Sequence, residues 1–357
     1  MKHYIGLDAH SATCTFVVIN EKGIETQKAQ ILTSVKKITD FLESIKGEKV
    51  LTFEESGISV WLHAILHNLV SKIIVCNPVY VAKKQGAKND YRDALHLAHE
   101  LRKGHLISVF HDKDNIYIPL RTVTSAYLDI NRDIVATKNR LKAIFRAQGK
   151  SQVGPSIYFE PEKIQNLVGE ENKFAADALM YQLQILDEIK EKYIFQFQEN
   201  MKRHKILKLL DSVPQVDVIR ANILAAYICD GRRFETKHKF WAYVGLVRHE
   251  QNSDGKSYGS KRIYGRSELK TVFMGCAEGI LRGETSLKKH YDQLRSKGLD
   301  HRAAKKAVAR RLAAIVLAIF KKEKPYDDKF LERKNRSELK NKKFETSKVL
   351  DSSVLAT

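Results

Sequence analysis

The chain has 357 residues, of which 62 are Lys or Arg and 42 are Asp or Glu, for a net charge of +20 near neutral pH. A hydrophobic share of 43% is enough for packed cores and excludes wholesale disorder, and the length suggests about two or three domains. The longest apolar runs, such as that around Leu312 to Phe320, fall short of the roughly 20 residues that cross a bilayer, so no membrane partner is expected. The N-terminal MKHYIGLDAH carries an acid at position 8 and lacks the apolar stretch of a secretory signal. Cys14, Cys76, Cys229 and Cys276 form no CxxC pair, which argues against a zinc knuckle or a disulfide framework and makes a reducing cytoplasm the expected location.

In chain order, HYIGLD reads as a strand, TCTFVVIN as a second, and NEKG as a hairpin turn into IETQKAQI. Val35, Ile38, Phe41, Leu42 and Ile45 recur at helical spacing. VLTFE is another strand, WLHAILHNLV a helix, KIIVC a fifth strand closed by Asn77 and Pro78, and DALHLAHELRKG a helix stopped by Gly104. Strand, hairpin, strand, helix, strand, helix, strand is the order of an α/β RNase H-like (RuvC-like) domain, expected over 1–110.

From 111 to 205 a helical coiled-coil region is expected. Leu120, Val123, Tyr127, Ile130, Ile134, Thr137, Leu141 and Ile144 are spaced alternately by three and four. Leu179, Leu183, Leu186, Tyr193 and Phe197 could form a second helix that folds back on the first, or the first could be a seam between two chains. SQVGPSIYFEPEK is the turn between the two stretches. An α-rich C-terminal domain is expected over 206–330, and 331–357 lack apolar periodicity and read as a disordered basic tail.

The charge is not spread evenly. Residues 201–344 hold 35 basic against 16 acidic side chains, which accounts for nearly the whole surplus. A polyanion is the natural partner of such a field, because each neutralised phosphate releases condensed counterions.

Four acids stand out by position. Asp8 ends the first strand, Glu54 the fourth, and Asp90 and Asp93 lie three apart where a helix begins. In an RNase H-like sheet the first and fourth strands are neighbours, so these carboxylates can converge. Clustered carboxylates repel unless neutralised, and hard oxygen donors suit Mg²⁺ or Mn²⁺. Each acid also has an ordinary role open to it: Asp90 as a helix N-cap, Asp93 as a partner of the helix dipole, Glu54 or Glu55 as a solvated strand end. QGKS at 148–151 and DGKS at 254–257 are not P-loops, because the required leading glycine is Ile144 in one and Glu250 in the other. His96, His99 and Glu100 lack the order of a zinc hydrolase.

YIGLDAH, FEESG, AKNDYRDALHLA and GLVRHEQNSDGKSYGSKRIYGRSELK resemble the Piv and IS one-ten type of insertion-sequence transposase, also called bridge-RNA-guided recombinases, over about residues 3 to 328. The resemblance implies a DEDD metal quartet at Asp8, Glu54, Asp90 and Asp93. Glu54 is taken over Glu55 because the family pattern is an acid, two small residues and Gly, although Glu55 fills one small position. It implies a serine nucleophile at Ser253, followed by Gly259, Gly265, Leu269 and Lys270 of the pattern; Asp254 departs from it, and Ser257 is the alternative. The segment LLDSVPQVDVIRANILAAYI stands where the family has a helix-hairpin-helix, with Gln215 and Asp217 in place of its usual glycines.

That chemistry is self-consistent. A serine ester of DNA conserves bond energy, so rejoining needs no nucleotide triphosphate. Divalent metal would ease deprotonation of the serine, for which His249 is a candidate base. Arg248, Lys256, Lys261, Arg262, Arg266 and Lys270 flank Ser253 and are expected to hold backbone phosphates. With 160 residues between Asp93 and Ser253, the two elements are expected to come together by docking of domains. The resemblance further implies double-stranded DNA as substrate, a structured guide RNA as partner and a homodimer or tetramer. A metal-dependent junction nuclease and a non-catalytic nucleic-acid-binding coiled coil are the competing readings.

Overall fold

The computed structural model describes residues 1–78, 81, 89–109, 117–150, 154–253, 256–262 and 265–328, with the backbone alone for most of 248–262. The tail expected to be disordered lies outside the described residues. The chain divides into two compact units, Met1–Asn115 and Ile116–Thr357.

The first unit is built on a five-stranded sheet. β1 (Lys2–Ala9), β2 (Thr13–Ile19) and β3 (Glu25–Leu32) form an antiparallel meander. The turn between β2 and β3 is set by the Asn20 side chain, which accepts from the amides of Lys22 and Ile24, both at 3.0 Å. After α1 (Val35–Ser44), capped by the Ser34 hydroxyl, β4 (Glu48–Glu54) enters parallel to β1; α2 (Ser59–Leu66) then leads to β5 (Lys72–Cys76), parallel to β4. The resulting order, β3-β2-β1-β4-β5, is compatible with an RNase H-like fold.

Both faces of this sheet are covered. Ile5, Leu7, Phe16, Val18, Leu51 and Phe53 pack with Ile38 and Leu42 of α1 and Leu62 and Leu66 of α2. On the opposite face Val17 and Ile19 meet Ala94 and Ala98 of α3 (Asp90–Lys103). Burial on both sides explains why TCTFVVI reads as a continuous apolar run rather than an alternating one.

Gly6 sets how closely α3 approaches. A Cβ placed on it would stand 2.6 Å from the Ala98 amide nitrogen and closer still to the Ala94 carbonyl oxygen. Only glycine allows helix and strand backbones to meet there. Asp8 lies two residues on, on the same face of the strand, so it is carried toward the start of α3.

The second unit is helical except for one ribbon. α4 (Tyr117–Ala147) and α5 (Glu170–Arg203) form an antiparallel hairpin, with Tyr127 at 5.0 Å from Phe197 near one end. Ile134, Leu141 and Phe145 of α4 meet Ala176, Leu183 and Leu186 of α5 toward the other. The apolar spacing of α4 is therefore used within a single chain. Short 3₁₀ turns, Pro155–Tyr158 and Pro161–Asn166, cap this end and add Ile157 and Ile164 to its core.

The hairpin base joins the remaining helices: α6 (Lys205–Asp211), α7 (Val218–Ile228), α8 (Lys237–Val244), α9 (Ser267–Ile280), α10 (Ser286–Ser296) and α11 (His301–Lys322). Buried Asn200 of α5 donates to Asn222 of α7 at 3.1 Å, and Arg121 of α4 donates to the Ala226 carbonyl at 3.2 Å. Leu120, Leu224, Phe240, Phe273, Leu312 and Val316 share one core. Between α8 and α9 this α-rich region forms an antiparallel ribbon, β6 (Arg248–Ser253) and β7 (Lys256–Arg262), which the sequence pattern did not single out.

Candidate active site

The carboxylates of the first unit gather where β1 ends and α3 begins. Asn89 caps α3 through its side-chain oxygen, which accepts from the Tyr91 amide at 2.9 Å. Asp90 is thereby relieved of the capping role and occupies the first helical position. Asp8 and Asp90 are joined by a residue that sequence reasoning did not select, His10. Its Nε2 lies 3.3 Å from Asp8 Oδ2 and 4.0 Å from Asp90 Oδ1, and one ligand atom from each of the three falls within 4.8 Å of the others.

The electrostatics report the crowding. Burial pushes the Asp8 carboxyl above its usual value, and the charges of Asp90 and Asp93 add to this, while His10 pulls it back. Asp93 is exposed on the first turn of α3, with its amide donating to the Asn89 carbonyl at 3.0 Å; it acts on Asp8 through its field. Glu54 is the last residue of β4. The β1–β4 ladder ends at Leu7 opposite Phe53, so Asp8 and Glu54 are the next positions on neighbouring strands. Glu54 is exposed, registered beside Cys76, and outside the group formed by Asp8, His10 and Asp90. Its charge adds to the burial that pushes the Cys76 thiol up to about 11.

The donor set suits a divalent cation. Around an octahedral ion with bonds of about 2.1 Å, ligand atoms are spaced by about 3 Å when adjacent and about 4.2 Å when opposite. The three donor atoms, all within 4.8 Å of one another, lie near those spacings, and a cation would relieve the repulsion that Asp8 experiences. A cavity of about 600 Å³ opens beside Asp90, lined by Thr15, Lys28, Gln30, Asn89 and Tyr91 among others.

In the second unit Ser253 is the last residue of β6, registered opposite Lys256, the first of β7; Ser257 pairs with Asn252. Arg248 is registered opposite Arg262 and His249 opposite Lys261. The ribbon is rooted where Gly265 approaches Gly245. A Cβ on Gly265 would be 2.5 Å from the Gly245 amide nitrogen, and the Arg266 amide donates to the Tyr243 carbonyl at 2.8 Å. Arg266 precedes α9, with its guanidinium 5.9 Å from the Tyr227 ring centre, and Lys270 lies one turn into that helix.

The segment with two replaced glycines keeps a glycine-like backbone. Gln215, between α6 and α7, has φ 67°, and its carbonyl accepts from Arg220 Nη1 at 2.6 Å. Asp217 caps α7, its carboxylate accepting from the Arg220 amide at 2.8 Å.

An α/β sheet with carboxylates gathered at strand and helix ends, on a chain whose other unit is strongly basic, has the outline of a nucleic-acid-processing enzyme. A transposase model, that of the DEDD transposases of IS110 elements, matches residues 5–147, and the model of the Transposase IS116/IS110/IS902 family matches residues 207–292. The chain belongs to the IS110 family of transposases, enzymes that cleave and recombine DNA. A relative from Sinorhizobium fredii that bears a transposase name, y4qE, is 25% identical over 327 residues, covering 83% of this chain and 80% of its own length. Among the described residues, no helix is long and apolar enough to cross a membrane.

Proposed function

We propose that this transposase exchanges DNA strands through a serine ester, with Ser253 as nucleophile and divalent metal, Mg²⁺ or Mn²⁺, held by the Asp8, Glu54, Asp90 and Asp93 quartet. The observation that carries the metal half is the approach of Asp8 and Asp90 around one point, with the Asp93 field acting on Asp8. When bound, the metal would polarise a phosphate and lower the cost of deprotonating the serine hydroxyl. The hydroxyl oxygen forms the new bond to phosphorus while the bond to one DNA strand breaks. The departing oxygen takes up a proton, and the serine proton passes to a base, for which His249 is the candidate. The reverse step rejoins a second strand without nucleotide triphosphate.

The basic positions that flank Ser253, namely Arg248, Lys256, Lys261, Arg262, Arg266 and Lys270, would hold backbone phosphates of double-stranded DNA. A structured RNA from the same element would choose the sites by base pairing, and the working assembly would be a homodimer or tetramer with the α4–α5 hairpin as its coiled-coil region.

The test is mass spectrometry of a peptide trapped on nicked DNA. A nucleotide phosphate on Ser253 is the expected result, with its loss in Ser253→Ala while DNA binding survives. The same adduct on Ser257 would move the nucleophile, and full strand exchange by Ser253→Ala would refute the serine mechanism. Metal-dependent nicking without any adduct would point to hydrolysis by water.

A further inference from the structure

We infer that His10 is a nitrogen ligand to the divalent cation, bridging between Asp8 and Asp90, and that it biases the centre toward Mn²⁺ over Mg²⁺. The inference rests on the metal reading given above and adds to the carboxylate quartet a donor of a different chemical class.

Three observations carry it. First, Nε2 of His10 is the atom turned toward both carboxylates, at 3.3 Å from Asp8 Oδ2 and 4.0 Å from Asp90 Oδ1. Nε2 thus reaches both carboxylates at once, at spacings near those between ligands of a common ion, about 3 to 4.2 Å. Second, the residue is held by its backbone on both sides: its amide donates to the Thr13 carbonyl at 2.9 Å, and its carbonyl accepts from the Thr33 hydroxyl at 2.7 Å. The turn between β1 and β2 is thus tied to the end of β3, and the ring is presented from a fixed frame, as a ligand must be. Third, the His10 side chain is 48% exposed while that of Asp8 is 20% exposed, so the ring lies on the solvent side of the carboxylates, where a cation would arrive.

The bias follows from ligand softness. An all-oxygen site suits Mg²⁺ well, whereas an imidazole nitrogen adds more to the binding of Mn²⁺ and later divalent ions. With one nitrogen and carboxylate oxygens, the centre would discriminate between two ions that an all-carboxylate quartet treats more evenly.

The experiment uses the full-length protein stripped with chelator and titrated with Mn²⁺ and, separately, Mg²⁺. Pulsed electron paramagnetic resonance reads nitrogen coupling to bound Mn²⁺. The wild type should show histidine nitrogen coupling that changes on ¹⁵N-histidine labelling and vanishes in His10→Ala. Mn²⁺ affinity should fall in His10→Ala by at least the roughly tenfold that loss of even an outer-shell partner costs, with a smaller loss for Mg²⁺. His10→Asp should restore Mg²⁺ binding without nitrogen coupling. Bound Mn²⁺ that lacks nitrogen coupling, and whose affinity is lost in Asp8→Asn but unchanged in His10→Ala, would overturn the role of His10 and leave the carboxylate centre standing. Wild-type protein that binds Mn²⁺ no better than Asp8→Asn would overturn both.

Discussion

The two units put chemistry on different kinds of support. In the first, Asp8, His10 and Asp90 come from a strand end, a turn and a helix start, and the nearest approach depends on Gly6 letting α3 lie against β1. In the second, Ser253 and its basic neighbours sit on or beside a two-stranded ribbon rooted at Gly245 and Gly265, carried by a helical core. The first unit collects negative charge at one point within a nearly neutral sequence, whereas the second lies in the stretch that holds the chain's positive surplus. A carboxylate centre must be positioned to within a fraction of an ångström by packing, while a phosphate-binding surface works by summed charge and tolerates looser geometry.

The largest effect should come from the first unit. Asp8→Asn keeps shape and removes charge, and DNA cleavage should drop by at least about a hundredfold to a thousandfold, the loss seen when one electrostatic group is taken from a reacting centre. Because burial and two neighbouring carboxylates disfavour the Asp8 charge, the metal-free melting temperature should hold or rise in this variant. A variant that cleaves DNA normally would remove Asp8 from the chemistry.

The second unit should show its character in salt. If 6 to 10 phosphates are neutralised, DNA affinity should fall about 10³- to 10⁵-fold between 50 and 200 mM salt. Replacing Lys261, Arg262, Arg266 and Lys270 together by Ala should flatten the log–log slope by roughly 3 to 4. The same change at exposed Lys22, Lys36, Lys37 and Lys46 of the first unit should leave the slope nearly intact. Equal slopes for the two sets would erase the contrast between the units.

Stability separates the units again, in smaller amounts. Leu141 is fully buried between α4 and α5, so Leu141→Ala should cost about 2 to 5 kcal/mol in chemical denaturation. Gly6→Ala should cost about 1 to 3 kcal/mol by overpacking against backbone, and should also lower metal affinity, because it moves Asp90 away from Asp8. Normal metal binding by Gly6→Ala would show that the approach of α3 does not position the site. The smallest effect has the opposite sign: Gln215 holds a left-handed backbone, and Gln215→Gly should stabilise the second unit by about 1 kcal/mol.

Four of the five strands of the first unit were legible as apolar runs bounded by turn residues, and the mostly polar third, ETQKAQIL, from the hairpin turn before it; the positions of Asp8, Glu54, Asp90 and Asp93 at element ends could be read with them. His10 was passed over although it stands two residues from Asp8, because it lies past the strand, where the alternation of faces no longer says where a side chain goes. The ribbon of the second unit was missed for a different reason. Its Asp254-Gly255 dipeptide is a strong hairpin signal, but the flanking RHEQNS and KSYGSKR are polar on both faces and lack the apolar alternation that marks a strand.

The sequence by itself determined the strands and helices of the first unit and the two long helices of the second, through local apolar spacing, and, through simple charge, that about two fifths of the chain carries the positive field; the side-by-side placement of β1 and β4 followed from the RNase H-like order of those elements. The tertiary structure alone decided that the α4 spacing is met by α5 of the same chain, that Gln215 keeps a glycine-like turn, and that His10, rather than Glu54, joins Asp8 and Asp90 within 4.8 Å. Those outcomes turn on distances between segments far apart in the chain. Such distances are set by close backbone packing, as at Gly6, which no local pattern encodes.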